Sequence, residues 1–529
     1  MGMKEPFLTL ENITLRVQQR ILFQDSFWRI HSDEHWAILG PNGSGKSTLV
    51  RSLWGGVLLQ NGRILYHFLD SHPESRMNSI NEFIGYVSFE THQRLIEHEE
   101  RQEELRTFAN KKDEITTTKD ILLSGIMGNR PVTQEDEKRC VAIANTLNLQ
   151  SLLSQSITSL STGEMRKLLI GRALMKSPKL LILDEPFDGL DEPSQKSLAT
   201  LIHHLMETEL RIILVVHRLE EILPRITHVL LIKEGQFFMR GPKEIVLTSE
   251  NLSEIYGYPL FLEKYQGRYR ATPILKDKES LPYTLAFQDN SSKVPEVLIE
   301  MKDTTVHYNG RIVLDRLNWV MRRGENWAIL GPNGSGKSTI VKLILGENLQ
   351  GYSNQITLLG KKKGSGETLW EIKKWIGAVS SELQIQYRKK MSAYDVIASG
   401  FYDSIGLYQY PSPKEKAIVN QWIELLNLEE ISKMPFHQLS YGQKRMILIA
   451  RAMVKSPILL ILDEPCHGLD LINRKWVLDL IDLIGTTSTH LLYVTNHREE
   501  IINSITHVLK IHKGKVLAQG RKDEVLTTF

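Results

Sequence analysis

Short apolar runs punctuate the chain, and several stop at glycine or at acids. Trp36–Leu39 and Trp327–Leu330 both read "WAIL" and end at Gly40 and Gly331, while "KLLILDE" at Lys179–Glu185 runs into carboxylates. Runs this short, without polar alternation, predict strands buried on both faces. After the first "WAIL" the period changes: "KSTLVRSLWGG" carries apolar residues at helical spacing and meets a glycine stop. Strands alternating with helices predict an α/β fold with a mainly parallel sheet and ligands at the strands' carboxyl ends. Ile96–Arg106, "IEHEERQEELR", has no apolar face and predicts a solvated charged helix, a surface insertion.

The pattern occurs twice. "WAILGPNGSGKST" stands at Trp36–Thr48 and again at Trp327–Thr339; "LLILDEP" at Leu180–Pro186 and Leu459–Pro465; "GLD" at Gly189–Asp191 and Gly468–Asp470. "VVHRLEEI" at Val215–Ile222 answers "VTNHREEI" at Val494–Ile501, and "ITHVL" recurs at Ile226 and Ile505. Two similar domains in tandem account for this, at residues 7–250 and 296–529. Residues 251–295, with Pro259, Pro273 and Pro282, read as a linker that proline keeps from forming one long helix.

Bulk composition narrows the classes. The 529 residues hold 65 Lys+Arg against 62 Asp+Glu, a net charge of +3, so no nucleic-acid footprint is expected. Cys140 and Cys466 are the only cysteines, which excludes a disulfide framework and fits a reducing cytosol. No apolar run approaches the ~18–20 residues of a membrane span, and the start, MGMKEPFLTL, has no apolar signal core. The expectation is a cytoplasmic protein, able to dock on the inner face of a membrane.

The repeated segment carries phosphate chemistry. Gly40-Pro41-Asn42-Gly43-Ser44-Gly45-Lys46-Ser47-Thr48 contains G-x-x-x-x-G-K-S, repeated at Gly331-Pro332-Asn333-Gly334-Ser335-Gly336-Lys337-Ser338-Thr339. The glycines let backbone N–H groups converge on phosphate oxygens, beside the positive end of the following helix. Lys46 and Lys337 are placed for the β- and γ-phosphates, and the Ser47 and Ser338 hydroxyls for Mg²⁺. Asp184 and Asp463, ending the second apolar strand, are candidate Mg²⁺ ligands, and the following Glu185 and Glu464 are candidates to orient or deprotonate water.

"LSTGEMRK" at Leu160–Lys167 and "LSYGQKRM" at Leu439–Met446 each lie 20 residues before "LLILDEP". They resemble the "LSGGQ" signature of ATP-binding-cassette (ABC) ATPases, and both halves carry the ABC motifs in order. The resemblance implies two phosphate-loop NTPase domains of ABC type, each with a mixed or parallel sheet core and a helical signature subdomain. It implies Mg²⁺-dependent ATP hydrolysis by cassettes that pair within the chain, each phosphate loop completed by the other half's signature. One site would join Lys46, Ser47, Asp184, Glu185 and His217 to Ser440, Gly442 and Gln443; the other Lys337, Ser338, Asp463, Glu464 and His497 to Ser161, Gly163 and Glu164. His217 and His497 match the switch histidine of the family, Asp191 and Asp470 the loop that couples its sites. With both sets of groups kept, both sites are expected to hydrolyse ATP.

Three departures from the family pattern stand out. Tyr308 matches the aromatic residue that stacks on adenine, whereas Val17 takes its place in the first half, predicting weaker nucleotide binding there. Thr162 and Tyr441 replace a signature glycine, and Glu164 stands where Gln443 is neutral. Phe89 and Ser381 stand where the family has a glutamine; Gln93 and Gln384 lie beyond, and Glu90 matches Glu382.

The stretches "IGYVSFETHQ" and "VSSELQIQYRKKMSAYDVIASGFYDSIGLYQ" resemble the tandem-cassette proteins called molybdenum-transport ATP-binding, or photorepair, proteins. That resemblance implies an energising subunit working with a transmembrane permease, of molybdate type by name. The alternative is a soluble ABC ATPase acting on ribosomes or other macromolecules, though residues 251–295 fit poorly the long charged helical linker of ribosomal ABC factors. A DNA-repair clamp lacks its zinc modules or coiled coils here. Cys466 reads as a packing residue, His467 as too isolated for a metal site, and Trp54, Trp319 and Trp370 as core or surface aromatics.

Overall fold

The computed structural model describes residues 5–527 except 18–19, 70–79, 89–90, 92–94, 96–98, 100, 103–114, 127–130, 266–267, 274–293, 309, 367–370, 372, 381–382, 385–386 and 388–390. Most of the charged insertion at 96–106, together with Phe89, Glu90, Gln93, Ser381, Glu382 and Trp370, lies outside the described residues. The chain divides into two compact units, Met1–Lys276 and Asp277–Phe529. No described helix is long and apolar enough to cross a membrane.

The strands of the first unit are β1 (Pro6–Val17), β2 (Arg20–His31), β3 (Trp36–Leu39), β4 (Leu59–Tyr66), β5 (Ile84–Ser88), β6 (Leu180–Asp184), β7 (Arg211–Val215), β8 (His228–Lys233) and β9 (Gln236–Pro242). The first "WAIL" becomes β3 and "LLILD" becomes β6, and every residue of both is buried. They lie inside a six-stranded sheet ordered β5-β6-β7-β3-β8-β9, parallel except at β8–β9. A second, antiparallel sheet, β2-β1-β4, covers the first. Between them Trp28 meets Trp36 edge-on with ring centroids 5.1 Å apart, in a core that includes Leu49, Val50 and Leu53 of α1 (Lys46–Leu53). This packing fixes α1, and therefore the loop before it, against the carboxyl end of β3. The remaining helices include α2 (Thr162–Leu174), which carries the signature, and α3 (Glu192–Leu205), which follows "GLD".

Beyond residue 248 the chain forms α4 (Ser249–Tyr256) and a hairpin of β10 (Leu260–Tyr265) and β11 (Arg268–Pro273), all within the first unit. Pro259 sits between helix and hairpin and Pro273 ends β11, so proline punctuates this stretch. Strand β11 lies against the short Leu219–Glu221 turn that follows β7.

The second unit repeats the plan with β12 (Val297–Tyr308), β13 (Arg311–Arg322), β14 (Trp327–Leu330), β15 (Gln355–Leu358), β16 (Lys361–Lys362), β17 (Ile376–Val379), β18 (Leu459–Asp463), β19 (His490–Thr495), β20 (His507–His512) and β21 (Lys515–Arg521). Its sheets are β17-β18-β19-β14-β20-β21 and β13-β12-β15-β16. Trp319 and Trp327 meet edge-on at 5.6 Å, as Trp28 and Trp36 do. Helices α5 (Lys337–Leu345), α6 (Tyr441–Met453) and α7 (Leu471–Ile484) correspond to α1, α2 and α3. Cys466 is fully buried, its Sγ 3.7 Å from the Tyr493 hydroxyl.

Candidate functional site

Each phosphate loop joins a buried strand to the N-terminus of a helix. Gly45 caps α1 at φ 102° and Gly336 caps α5 at φ 104°, with no side chain bonding the first N–H groups. An uncapped helix start with its dipole pointing outward is an anion site. Glycine is demanded at Gly40, where a Cβ would lie 2.2 Å from the Ile232 carbonyl oxygen, and at Gly331, where it would lie 2.3 Å from that of Ile511. The lysines curl back over the loop: Lys46 Nζ donates to the carbonyls of Gly40 (2.7 Å) and Pro41 (3.1 Å), Lys337 to those of Gly331 (2.7 Å) and Pro332 (3.0 Å).

The acids end β6 and β18. Ser47 Oγ donates to Asp184 Oδ1 at 3.2 Å, so the loop hydroxyl and strand-end carboxylate already share a position. Tyr86 Oη donates to the other oxygen at 2.9 Å. Burial pushes the Asp184 carboxyl above its usual range and the Glu185 charge adds to this, partly offset by the bonds from Tyr86 and Ser47. In the second unit Asp463 is pushed up to about 6 by burial and Glu464, with Lys337 and Ser338 opposing. Strand pairing places Ala378 where Tyr86 stands, so no tyrosine occupies the equivalent position beside Asp463. The next residues are strained: Glu185 has φ 55° and Glu464 φ 48°, a region side-chain-bearing residues seldom occupy. Each bends back to the adjacent strand, through Glu185 N–H to the Val215 carbonyl (3.0 Å) and Glu464 N–H to that of Val494 (2.9 Å).

Here the halves part. His217 Nε2 lies 2.5 Å from Glu185 Oε1. Burial raises the Glu185 carboxyl, but the facing His217, by charge and hydrogen bond, outweighs it and leaves Glu185 below its usual range. His497 does not repeat this. Asp184 pairs with Val215 and Asp463 with Val494, so the residue two beyond is His217 in one unit and Asn496 in the other. The turns Leu219–Glu221 and Arg498–Glu500 keep the same offset. His497 therefore stands at the place of Arg218, and its Nδ1 faces Glu499 at 3.5 Å rather than Glu464. Asn496 instead donates from Nδ2 to Oδ1 of Asn333 in the phosphate loop, at 2.7 Å.

The signatures start helices. Ser161 caps α2: its Oγ accepts from the Glu164 N–H, while Glu164 Oε2 accepts from the Ser161 N–H (2.8 Å) and hydroxyl (2.7 Å). Ser440 and Gln443 build the same capping box on α6. Glu164 and Gln443 thus do one structural job, and both sequences show it as Ser-x-x-Glu/Gln. Gly163 and Gly442 press α2 and α6 against α3 and α7, since a Cβ would lie 2.9 Å from Ser194 Oγ and 2.3 Å from Asn473 Oδ1. Asp191 and Asp470 cap those two helices.

This arrangement of uncapped helix start, lysine, hydroxyl–carboxylate pair and strained glutamate occurs in a chain that matches the ABC transporter family over residues 23–188 and 314–467. The chain belongs to the ABC transporter family and is an ATPase. It is 37% identical over 484 residues to the ABC transporter ATP-binding protein ModF of Escherichia coli (strain K12), covering 91% of this chain and 92% of that one. It is 27% identical to an uncharacterized ABC transporter ATP-binding protein of Schizosaccharomyces pombe, over 97% of this chain and 99% of the relative. A solved archaeal ribosome recycling factor, in complex with a ribosomal stalk protein, aligns with TM-score 0.53 and 19% identity over 94% of this chain and 87% of that one, a likeness of fold.

Other expected ABC site residues fall as follows. Val17 ends β1 and pairs with Arg20, as Tyr308 ends β12 and pairs with Arg311, so the two are equivalent. Tyr308 is 43% exposed, and its hydroxyl accepts from Asn348 Nδ2 at 2.8 Å, just beyond α5. Gln384 is described, and its backbone N–H bonds to the Ser380 carbonyl. Tyr86 and Asn496 stand outside the motifs named from sequence. Their signals were present in sequence, as Tyr against Ala in "IGYVS" and "IGAVS", and as His against Asn when "EEI" sets the register.

Proposed function

We propose that this ABC ATPase energises a membrane transporter, docking by its first unit on a permease formed by another chain. The observation that carries the reading is a cleft of about 660 Å³ lined by Arg51, Trp54, Tyr86, Ser88, Arg172 and Lys176. Apolar rings and three cations suit a short amphipathic segment with acidic ends. Tyr86 lines the cleft and donates to Asp184 with its hydroxyl, so a partner seated there touches the residue that holds the site carboxylate.

Ser47 with Asp184, and Ser338 with Asp463, would hold Mg²⁺. A hydroxyl and a carboxylate are hard oxygen donors, and a buried carboxylate with a raised pKa is one a cation relieves. The ion supplies charge neutralisation on the phosphates. Lys46 and Lys337 would exchange loop carbonyls for phosphate oxygens, and Glu185 would receive the proton of the attacking water. The cargo expected from sequence is molybdate or a related molybdenum species. The protein acts at the cytoplasmic face of a membrane.

The test is affinity purification of the tagged full chain from solubilised membranes, with mass spectrometry. Recovery of a multispanning permease, lost on Tyr86→Ala, is expected. Recovery of ribosomes without a permease overturns the reading.

A further inference from the structure

We propose that the two phosphate-loop sites of this chain are kinetically unequal: the site with Lys46, Glu185 and His217 carries out most ATP turnover, whereas the site with Lys337 and Glu464 retains nucleotide and hydrolyses slowly, because Asn496 replaces the histidine partner of the glutamate. The inference rests on the ATPase activity that the family establishes.

The two sites share lysine, hydroxyl, strand-end aspartate and strained glutamate. They differ in what faces that glutamate. His217 lies 2.5 Å from the Glu185 carboxylate. Among the described residues no side chain meets Glu464 in that way. The side chain two residues beyond β19's pairing with Asp463 is an amide, turned to the phosphate loop through the 2.7 Å bond from Asn496 to Asn333. His497 is displaced by one residue and faces Glu499.

The chemistry separates imidazole from amide. In the hydrolytic step water oxygen bonds to the γ-phosphorus, the bond from phosphorus to the β,γ-bridging oxygen breaks, and the water's proton passes to the glutamate carboxylate. The imidazole of His217, 2.5 Å from the Glu185 carboxylate, fixes its aim. The amide of Asn496 is committed to Asn333. The Asn496–Asn333 bond instead ties the strand-end loop to the phosphate cradle. A second difference points the same way. Tyr308 stands beside the slow site and Val17 at its place in the fast one, so the better base-stacking group accompanies the missing histidine.

The experiment is steady-state ATPase kinetics of the full chain, with nucleotide binding measured alongside by a fluorescent ATP analogue. Glu185→Gln and His217→Asn are each expected to lower kcat by roughly a hundredfold, within the range typical of losing general-base assistance. Glu464→Gln is expected to change kcat by less than about twofold, because that site contributes little to total turnover. Asn496→His in the Glu185→Gln background is expected to raise kcat by at least about threefold with KM unchanged, a split that repaired folding alone does not produce. Equal loss in Glu464→Gln and Glu185→Gln overturns the inequality. So does an unchanged kcat on adding Asn496→His. Absence of any ATP turnover by the wild-type chain is a different result and sinks the activity itself.

Discussion

His35 gives the first unit a sensitivity to acid at a position where the second unit carries asparagine. His35 is 7% exposed, and its Nδ1 accepts the Ile212 backbone N–H at 3.2 Å. That bond requires the nitrogen to be unprotonated. Burial and the Arg211 charge push the His35 pKa down from 6.5 to about 4. Because the folded value lies below the unfolded one, the contribution is fully present above 6.5 and is lost as pH falls toward 4. Worked between pH 7 and pH 5, linkage gives a loss of about 2 kcal/mol. Asn326 occupies the equivalent position, immediately before the "WAIL" strand. Its Oδ1 accepts the Leu491 N–H at 2.9 Å, and it carries no proton to gain. His35→Asn should therefore flatten the pH response of the first unit. Each unit holds one buried cysteine, Cys140 or Cys466, so urea-dependent labelling with a pyridyl disulfide, read peptide by peptide, follows each unit separately. The wild-type Cys140 transition should move to lower urea at pH 5, the His35→Asn transition much less, and the histidine substitution should leave the Cys466 transition in place. An undiminished pH shift at Cys140 in His35→Asn would refute the reasoning.

Other expectations follow from the same geometry. Gly442→Ala sets a Cβ 2.3 Å from Asn473 Oδ1 and should cost about 1–3 kcal/mol by overpacking, read as a lower urea midpoint at Cys466 and relieved by Asn473→Gly. Gly163→Ala meets the smaller Ser194, at 2.9 Å from Oγ and 3.0 Å from Cβ, and should cost less. Tyr308→Leu should weaken ATP binding by about 1–3 kcal/mol if the ring stacks on adenine, measured by calorimetry in the His217→Asn background; an unaltered Kd rejects that role.

The order of folding information is visible in particular elements. The strands β3, β6, β14 and β18 were legible because continuous apolar runs bounded by glycine or acid have few other homes. The phosphate loops were legible because the needs of a tight backbone turn are written as glycine, locally and at fixed spacing. The capping role of Glu164 and Gln443 is equally local, written as Ser-x-x-Glu and Ser-x-x-Gln. The partner of each catalytic-position glutamate was not legible. It depends on which residue of "VVHRLEEI" or "VTNHREEI" follows strand pairing by two, and two adjacent polar residues in the second half left that register open. A shift of one residue turns a side chain to another face, so His497 carries the right chemistry at the wrong place. Tyr86 escaped for a related reason, since its partner Asp184 lies 98 positions away and only the β5–β6 pairing brings them together.

The sequence by itself determined two α/β cassettes, their phosphate loops and the acids at their strand ends, because each is encoded within a dozen neighbouring residues as periodicity, glycine or charge. Tertiary structure decided which groups meet: Tyr86 with Asp184, His217 with Glu185, and Asn496 with Asn333. Those pairings belong to the lateral order and register of a parallel sheet. Crossovers separate its neighbouring strands by long stretches of chain, so no local pattern contains them.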